Sequence, residues 1–512
     1  MPARIQITRR NLLRGAAASL SLPALARAAN KIPVRAVSEA AWKSLAAKIT
    51  GGVVRPDDPR FGALTQPENL RYYNPPLTRD ARPDLDAPLG VVLPRDASEV
   101  AAAISWARDV GMPMVPRSGG HSYAGCSTVA GLVIHTGRMR QVGVLGGDRI
   151  ELAGGALNRD VYAGLKAATS TDAPNGLTIT HGRCATVGVS AFLMGGGIGF
   201  GMRDHGLGCD LVESVELVLA DGRIVTASAN EDPDLLWAVR GGGGGNIGVA
   251  TRWRLRAVPA EPVVMFDLSW TSASKEEEEE IFARLVRLLE RAPDRMGAKL
   301  KVTARESGSD VPITIDLMGQ LRGSLEEFRS IFGAGLSGAT SECVALVPYW
   351  DAQTSLAEDG KPNRYQEISV YAGRLSSDLI SNALGRLRNW PGTRSHVSLT
   401  AFLAGGRISA SAPDATAFVH RSAQWLIACD LGWTEHDDSR TIEQNLHWQR
   451  GLHDALTAQL GDSGSYQNFP DPGLADPATA YWGANLARLR KVKRAIDPDN
   501  VFDPPRRQGI LP

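Results

Sequence analysis

The stretch HGRCATVGVSAFLMGGGIGFG, residues 181–201, contains one cysteine, Cys184, and ends in five glycines within the seven positions 195–201. Two further glycine clusters flank it: one in PRSGGHSYAGCS, residues 116–127, and one in GGGGGNIG, residues 241–248. Consecutive glycines let a backbone approach a ligand closely and point successive N–H groups at phosphate oxygens. Packing alone explains any one cluster, but three clusters in one chain favour a phosphate-bearing ligand.

Neither of the two common phosphate-binding motifs accounts for these glycines. Gly243, Gly245 and Gly248 spell GxGxxG, but the dinucleotide-binding fingerprint requires a strand before it and a helix after it. Here the helical pattern DPDLLWAVR precedes the glycines, and the strand pattern NIGVATRWRLRAV follows them. No Gly-Lys-Ser or Gly-Lys-Thr sequence follows any cluster, which excludes a P-loop.

The composition is that of an ordinary folded protein. At 512 residues the chain is long enough for two or more domains, with 43% hydrophobic and 22% charged residues. Its formal net charge is +1, so no basic surplus exists to meet nucleic-acid phosphates. Five cysteines without a CxxC pair argue against a metal framework and leave one or two disulfides open.

The N-terminus has the pattern of an export signal, which we assign to residues 1–28. Arg9 and Arg10 precede an apolar, small-residue stretch at residues 12–25, and Ala-Arg-Ala at residues 26–28 fits a cleavage site. A twin-arginine signal is typical of proteins that fold around a cofactor before export, so we expect a periplasmic or secreted protein. A frayed amphipathic helix is the alternative interpretation. The stretch is too short to be a convincing membrane span.

Strand and helix patterns surround the first and third glycine clusters. PLGVVLP predicts a strand, DASEVAAAISWARDVG a helix with Asp96 or Ser98 as N-cap, and MPMVP a strand that leads into the first cluster. LVESVELVLADGRIVTAS predicts two strands joined by a turn. After residue 259 the helix pattern KEEEEEIFARLVRLLERAP and the strand patterns PITIDLMGQL and YQEISVYAGRL indicate a second domain. YWGANLARLRKVKRAIDPDNVF predicts one C-terminal helix.

The order of the motifs resembles the berberine bridge enzyme-like flavin oxidases, of the vanillyl-alcohol-oxidase type. R-S-G-G-H-S, C-x-T-V-G-V, G-G-G-x-G, R-x-x-G-L-x-x-D and G-G-G-G-N-x-G-V follow one another, and SYQNFPDP matches a closing motif. The resemblance implies an α+β fold: a PCMH-type two-part FAD-binding domain and a substrate domain of antiparallel β-sheet backed by helices. It implies FAD-binding residues 29–258, substrate-binding residues 259–463, and a C-terminal segment, 464–512, that returns to the FAD-binding domain.

The same resemblance implies bicovalent FAD. In this family the histidine of the Gly-Gly-His motif carries the flavin 8α-methyl group, and the cysteine of C-x-T-V-G bonds flavin C6. By motif match these residues are His121 and Cys184. Imidazole and thiolate are nucleophiles able to add to an electron-poor flavin. Attachment through His121 alone and noncovalent FAD are the alternatives left open.

Further residues are implied to hold FAD without a bond. The backbone of residues 118–122 is expected to hold the pyrophosphate, and no residue is assigned to a metal. The implied cofactor-binding set is Arg117, Ser118, Gly119, Gly120, Ser122, Val187, Gly188, Gly195, Gly196, Gly197, Gly199, Ile247, Gly248, Val249, Tyr481 and Asn485.

The catalytic base departs from the family pattern. Family members commonly use a tyrosine, and its usual position in the closing motif holds Phe469 here. Tyr371, at the family's S-x-Y position facing the flavin, is our first candidate and Tyr466 the second; a half-buried strand tyrosine is the alternative for each. A phenol with a pKa near ~10 needs a lowered value to act as a base at neutral pH. Asn468 is expected to orient substrate or flavin.

A second departure concerns oxygen. Leu193 stands nine residues after Cys184, at the position that the family varies to admit or exclude O2 from the flavin. A bulky leucine there makes a dehydrogenase with another electron acceptor an alternative to an oxidase. Ser190 and Ala191 also replace the family's usual Gly-Gly pair.

These features predict a covalent-FAD oxidoreductase that takes a hydride from an alcohol or sugar hemiacetal carbon, with O2 or another electron acceptor as oxidant. We expect a monomer with a small alcohol or carbohydrate substrate and with no nucleic-acid or membrane partner. Oxidative ring closure in secondary metabolism is one alternative, which a small-molecule screen separates. A non-catalytic flavoprotein that sequesters a ligand is the other, and Phe469 is the feature that favours it.

Overall fold

The computed structural model describes residues 37–74, 85, 87–272, 274–308, 311–358, 360–461, 463–503 and 509–511. The predicted export signal, residues 1–28, lies outside the described residues. Within the described part, no helix has both the length and the apolar character that crossing a membrane requires.

The strands follow one another along the chain with these bounds: β1 Val53–Val54, β2 Gly90–Val92, β3 Met114–Arg117, β4 Leu132–His135, β5 Val142–Gly146, β6 Arg149–Ala153, β7 Leu177–Thr178, β8 Val212–Val218, β9 Ile224–Ser228, β10 Val249–Arg256, β11 Val258–Pro259, β12 Val263–Ser272, β13 Met296–Ala304, β14 Ile313–Leu321, β15 Ser341–Val347, β16 Arg364–Ala372, β17 Val397–Leu403 and β18 Trp425–Trp433.

The helices are α1 Glu39–Lys48, α2 Phe61–Thr65, α3 Ala97–Asp109, α4 Asn158–Lys166, α5 Val189–Met194, α6 Met202–His205, α7 Pro233–Val239, α8 Lys275–Leu289, α9 Leu325–Phe332, α10 Tyr349–Ser355, α11 Ser377–Arg388, α12 Ser439–Leu460, α13 Pro477–Trp482 and α14 Leu486–Ile496. Single 3-10 turns lie at Leu70–Tyr72, Gly208–Leu211, Gly333–Leu336, Gly406–Ile408 and Gly483–Asn485.

Two sheets before residue 257 present the glycine clusters. The first has the order β1-β2-β4-β3, and β4 runs parallel to both of its neighbours. Its helix α3 begins at the predicted cap, because the Asp96 side chain accepts a hydrogen bond of 2.9 Å from the Glu99 nitrogen. The second sheet has the order β5-β6-β10-β8-β9 and is antiparallel. Strand β3 ends at Arg117, so the chain enters the first glycine cluster directly from a sheet edge.

The third sheet has one apolar and one polar face. Its seven strands pair antiparallel in the order β15-β12-β14-β13-β17-β18-β16. Alternate residues such as Leu300 and Ile427 pack with Leu285 of α8, Leu384 of α11 and Leu452 of α12 in one core. The other face carries polar side chains. This arrangement confirms the α+β fold, including an antiparallel sheet backed by helices.

The C-terminal helix is shorter than the sequence predicts. Tyr481 and Trp482 end α13, and a 3-10 turn separates α13 from α14. The break falls at Gly483, whose φ of 44° lies in the left-handed region that favours glycine. The predicted single helix is therefore wrong for its first turn. The domain bounds stay a prediction, since residues Val37–Pro512 form one compact unit.

Candidate functional site

A cavity of about 550 Å³ lies where the glycine clusters meet the polar face of the third sheet. This volume is within the range of small-molecule and cofactor sites. The loops after β3, before α5 and before β10 form one side, and strands β13, β16, β17 and β18 form the other. The cavity therefore joins segments that are far apart in the sequence.

His121 and Cys184 converge on one point of the cavity wall. The Cys184 Sγ atom lies 4.0 Å from His121 Nε2. Thr186 touches both side chains, with its Oγ1 2.7 Å from His121 Nε2 and 3.4 Å from Cys184 Sγ. Burial, aided by the nearby Arg117 charge, lowers the pKa of His121 to about 4. The imidazole is therefore neutral at physiological pH, and one of its two nitrogens carries the lone pair that bond formation needs.

Close packing of two loops holds these nucleophiles together. A Cβ atom on Gly119 would lie 2.5 Å from the Gly188 nitrogen, and one on Gly188 would lie 2.6 Å from the Gly119 nitrogen. Both positions need glycine because real Cβ atoms do not approach a backbone so closely. Gly120 has a φ of 75°, a conformation that glycine adopts without strain.

Most of the residues predicted to hold FAD line this cavity. They are Arg117, Ser118, Gly119, Gly120, His121, Ser122, Cys184, Val187, Gly188, Gly199, Gly248 and Val249. They belong to all three glycine clusters, so the structure brings the predicted phosphate-binding segments to one place.

Arg117 contributes a buried positive charge beside the first glycine cluster. Its guanidinium donates hydrogen bonds to the carbonyl oxygens of Thr65, at 3.1 Å, and Gln66. Burial lowers the pKa of Arg117 to about 10, which leaves it charged at neutral pH. Because the partners of Arg117 in these hydrogen bonds are neutral carbonyls, they do not neutralise its charge, and this charge suits an anionic cofactor.

Four residues of the predicted FAD set pack behind the described wall, and their contact with FAD stays a prediction. Gly195, Gly196, Gly197 and Ile247 are not among the described residues that line the cavity. A Cβ on Gly197 would lie 2.7 Å from the Phe192 ring, and one on Gly195 would overlap the Asn468 side chain. These glycines are therefore needed for close packing behind the wall. Gly244 and Gly245, which the sequence analysis did not assign, line the cavity instead.

Tyr481 and Asn485 also lie outside the described wall, and their contact with FAD stays a prediction. Their side chains are buried away from the described wall and join parts of the backbone. The Tyr481 hydroxyl accepts a hydrogen bond of 2.8 Å from the Asp471 nitrogen. The Asn485 amide donates to the carbonyl oxygens of Pro413, at 2.8 Å, and Thr416, at 3.1 Å. Both side chains hold the C-terminal segment in place.

Phe192, and not Leu193, faces the cavity from α5. Leu193 is buried in the core, whereas Phe192 is among the wall residues. Consecutive helical residues point about 100° apart, so the start of α5 at Val189 decides which side chain reaches the wall. Phe192 is therefore the wall residue, and the predicted control of O2 access by Leu193 stays a prediction.

Tyr371 is buried behind the cavity wall. Its ring stacks on His420 at 4.2 Å between centroids, and its hydroxyl has no hydrogen-bond partner among the described residues. Burial raises the pKa of Tyr371 well above its usual value. Our first candidate for the base is thus not among the described wall residues, and its catalytic role stays a prediction.

Tyr466 and Asn468 do line the cavity. The Tyr466 hydroxyl accepts hydrogen bonds from the Gly197 nitrogen, at 3.1 Å, and the Asn468 amide, at 3.2 Å. Asn468 also donates to the Phe192 carbonyl oxygen at 3.1 Å. Burial raises the pKa of Tyr466 in spite of the two donors. This tyrosine is held as a neutral phenol, which is a poor base.

The sequence patterns did not indicate that charged residues on the polar face of the third sheet belong to the site. Lys299 and Lys301 on β13, Glu367 on β16 and Asp430 on β18 all line the cavity. A usable signal exists for Glu367, because it is four residues before Tyr371 on a strand and therefore shares its face. Strand alternation alone does not say which face meets a ligand.

The chain matches known flavoproteins along most of its length. Residues 88–228 match the family model described as FAD binding domain, and residues 465–508 match berberine and berberine like. An uncharacterized FAD-linked oxidoreductase, YgaK of Bacillus subtilis (strain 168), is 30% identical over 91% of this chain and 99% of its own length. A carbohydrate oxidase of Microdochium nivale is 29% identical over 83% of this chain and 88% of its own.

A solved structure shares the fold. It is glucooligosaccharide oxidase from Acremonium strictum, whose FAD is described as 6-S-cysteinyl, 8α-N1-histidyl. The TM-score is 0.77 at 22% identity, and the match covers 90% of this chain and 97% of that one. The chain belongs to the berberine bridge enzyme-like family of FAD-linked oxidoreductases. It is an FAD-dependent oxidoreductase.

The described cavity fits this cofactor. Its wall contains the buried cation Arg117 and the nucleophiles His121 and Cys184. It also contains glycines at positions where a Cβ atom would clash with neighbouring atoms. The prediction of FAD is thus confirmed, and bicovalent attachment stays a prediction. The five cysteines form no disulfide bond with one another.

Proposed function

We propose that this protein oxidises an alcohol or hemiacetal carbon of a carbohydrate, using FAD bonded to both His121 and Cys184. One observation carries the proposal: a thiol and a neutral imidazole share a cavity with a sheet face rich in hydrogen-bonding side chains. The names of relatives, a carbohydrate oxidase and a glucooligosaccharide oxidase, support the same substrate class.

The wall formed by the three glycine clusters would hold the cofactor. His121 and Cys184 would supply the covalent bonds, while Gly119, Gly188 and Gly245 would let backbone N–H groups approach its phosphates. FAD supplies the acceptor for the hydride that leaves the substrate carbon. The protein's own task is to orient the substrate and to remove the proton from its hydroxyl group.

The opposite wall would bind the sugar. Ser398, Thr400 and Asn468 offer neutral hydrogen-bonding groups of the kind that sugar hydroxyls need. Aromatic rings lie among them: Tyr123 stacks on Phe469 at 5.2 Å between ring centroids. A polar strand face beside an aromatic surface suits a hydroxylated ring, which has polar edges and apolar C–H faces.

Acid precipitation tests the two bonds. We expect yellow colour to stay with the precipitate of the wild type and of His121→Ala and Cys184→Ala, because each single variant keeps one bond. The double variant should release its FAD into the supernatant. Cys126→Ala is the matched control, since Cys126 also lines the cavity and should leave attachment unchanged. Free FAD from the wild type would contradict covalent attachment.

Anaerobic mixing with carbohydrates tests the reaction. We expect aldoses and oligosaccharides to bleach the flavin absorbance and to yield the corresponding lactone or aldehyde. Phe469 favours a second candidate, a flavoprotein that binds a ligand without turnover. A correctly flavinylated protein that no sugar or alcohol reduces would support this second function. O2 and other electron acceptors can then be compared as oxidants of the reduced protein.

We further propose export through residues 1–28, on the support of the paired Arg9 and Arg10. The twin-arginine route fits a protein that must fold around FAD first. Expression in a host with this route, followed by N-terminal sequencing of the extracytoplasmic protein, should find cleavage after Ala28. Replacing both arginines with lysine should keep the protein in the cytoplasm. Equal export of that variant would contradict the proposal.

A further inference from the structure

We propose that the carboxyl pair Glu367–Asp430 is the proton acceptor of this site, with His396 as its positioning residue. The inference rests on the oxidation proposed above. It supplies the group that must take the substrate's hydroxyl proton, since Phe469 occupies the position where the resemblance implies a tyrosine.

The phenols on the described wall are unsuited to this task. Tyr123, Tyr365 and Tyr466 line the cavity, and burial raises the pKa of each. The Tyr365 hydroxyl also donates a hydrogen bond of 2.6 Å to Glu68. None of these three is held in the ionised state that a base requires.

Glu367 and Asp430 occupy directly opposite positions on neighbouring strands. Their Cα positions pair in the antiparallel β16–β18 ladder, and both side chains line the cavity. Opposite residues of such a ladder have Cβ atoms roughly 4.5–5.5 Å apart. The Oδ1 atom of Asp430 is buried without a hydrogen-bond partner among the described residues.

Burial and charge repulsion raise the proton affinity of Glu367. Burial raises the pKa of Glu367 well above its usual value, and the Asp430 charge raises it further. Two adjacent carboxyls do not ionise together readily, so Glu367 binds its proton more tightly than an isolated carboxyl and is a stronger acceptor once it is ionised. The charged and titratable groups that act on Glu367 from the surrounding elements are Asp430, Glu358, Lys301, Lys299, Tyr123 and Tyr365.

His396 contacts Asp430, the second carboxyl of the pair. Its Nε2 atom lies 3.1 Å from Asp430 Oδ2, and its Nδ1 atom lies 3.0 Å from the Ser395 hydroxyl. His396 is not among the described wall residues, so it approaches Asp430 from outside the cavity. His396 therefore orients the Asp430 carboxyl, which lies opposite Glu367 in the ladder.

The proton balance of the step is simple. The substrate O–H bond breaks, and its proton goes to the ionised carboxyl group of the pair. The electron pair left on oxygen forms the C=O bond as the carbon gives its hydride to the flavin. The pair then returns this proton to water.

Rapid anaerobic mixing of the flavinylated protein with a reducing sugar tests the pair. Glu367→Gln should lower the limiting rate of flavin reduction by roughly 10²–10⁴-fold, the usual contribution of a general base. Its covalent flavin and visible spectrum should remain. Asp430→Asn should show a loss of the same kind. Asp316→Asn is the matched control, because Asp316 is on the same sheet but is not among the described wall residues.

Two further readouts separate a base from a structural role. The wild-type rate should rise with pH as the pair ionises, Glu367→Gln should lose this dependence, and His396→Gln should shift its midpoint. Infrared difference spectra of the substrate-free protein should show a protonated carboxyl that titrates well above the usual range of glutamate and is absent in Glu367→Gln.

The outcomes distinguish the two proposals. Wild-type reduction rates in Glu367→Gln, or no such infrared band, would overturn the carboxyl pair while leaving the carbohydrate oxidation intact. A wild-type flavin that no carbohydrate reduces would overturn the proposed oxidation, and the assignment of the pair would fall with it.

Discussion

At the scale of single residues, Gly119 and Gly188 decide the geometry of the site. Each glycine occupies the space that a Cβ on the other would need. The side chains that do chemistry, His121 and Cys184, therefore depend on neighbours that have no side chain. A substitution that does not touch either nucleophile should still separate them.

We expect Gly188→Ala to impair attachment through Cys184. The new Cβ would lie 2.6 Å from the Gly119 nitrogen, so the backbone of one loop must move. Overpacking of this kind costs about 1–3 kcal/mol of unfolding free energy. Peptide mapping should show a smaller fraction of flavin joined to Cys184. Gly451→Ala on α12, where a Cβ meets nothing within 4 Å, is the control; equal loss in both variants would contradict this account.

Some residues of the site could be predicted from the sequence, and others could not. His121 and Cys184 are fixed to glycine motifs whose order is recognisable, and both line the cavity. Phe192 could not be chosen over Leu193, because the answer depends on where a helix of six residues begins. Glu367 could not be assigned to the site from its strand pattern alone, because that pattern allows either face of the strand to meet the ligand.

At the scale of elements, α14 supports the third glycine cluster from behind. The Lys493 ammonium is buried and donates hydrogen bonds of 2.8 Å to the carbonyl oxygens of Asn246 and Phe502. It also pairs with Asp497 at 2.5 Å. The Asp497 carboxylate accepts hydrogen bonds from the nitrogens of Val501, at 2.7 Å, and Phe502, at 2.9 Å. This buried network connects the end of the chain to the cofactor loop.

Lys493→Met should therefore destabilise the protein and lower its FAD content. Removing one partner of a buried ion pair costs about 3–5 kcal/mol, because the other charge is left unpaired. Denaturant unfolding measures the free energy, and the absorbance ratio of flavin to protein measures occupancy. The control is Lys491→Met, whose side chain is exposed on the same helix. Equal stability of the two variants would contradict a supporting role for this network.

Element types were more predictable than element ends. Capping by Asp96 and the alternation of β14 and β16 are local properties, and the structure has these elements where the patterns indicate. The break at Gly483 depends on how α13 and α14 pack, since glycine within a helical pattern is compatible with either outcome.

At the scale of the whole molecule, buried neutral histidines couple stability to pH. Burial lowers the pKa values of His135, His181 and His420 to about 4. In the unfolded chain each histidine has a pKa near 6.5. Between pH 4 and pH 6.5 the unfolded chain therefore binds protons that the native protein does not bind. The stability from each histidine is therefore fully present above pH 6.5 and is lost as the pH falls towards 4.

His181 offers the clearest test of this coupling. It is 5% exposed, and its Nε2 atom lies 2.9 Å from the Tyr349 hydroxyl. Below pH 6.5 the wild type should lose up to about 1.4 kcal/mol more per pH unit than His181→Gln, which has no imidazole to titrate. Urea unfolding at several pH values measures both slopes. Identical slopes would contradict a neutral, buried His181.

The order of the third sheet is the part of the fold that local patterns could not predict. Its strands lie in the order β15-β12-β14-β13-β17-β18-β16, so neighbours in the sequence are often separated in space. Alternation defines an apolar face for each strand but not its partner. The α+β class was predictable because the motif order resembles a family, and the pairing of Glu367 with Asp430 was not.

A crystal structure of the flavin-loaded protein would test the central claim most directly. The account predicts continuous electron density from the flavin to both His121 and Cys184, with the isoalloxazine ring in the cavity that Glu367 and Asp430 line. A flavin without a bond to either residue, or one bound outside this cavity, would contradict it.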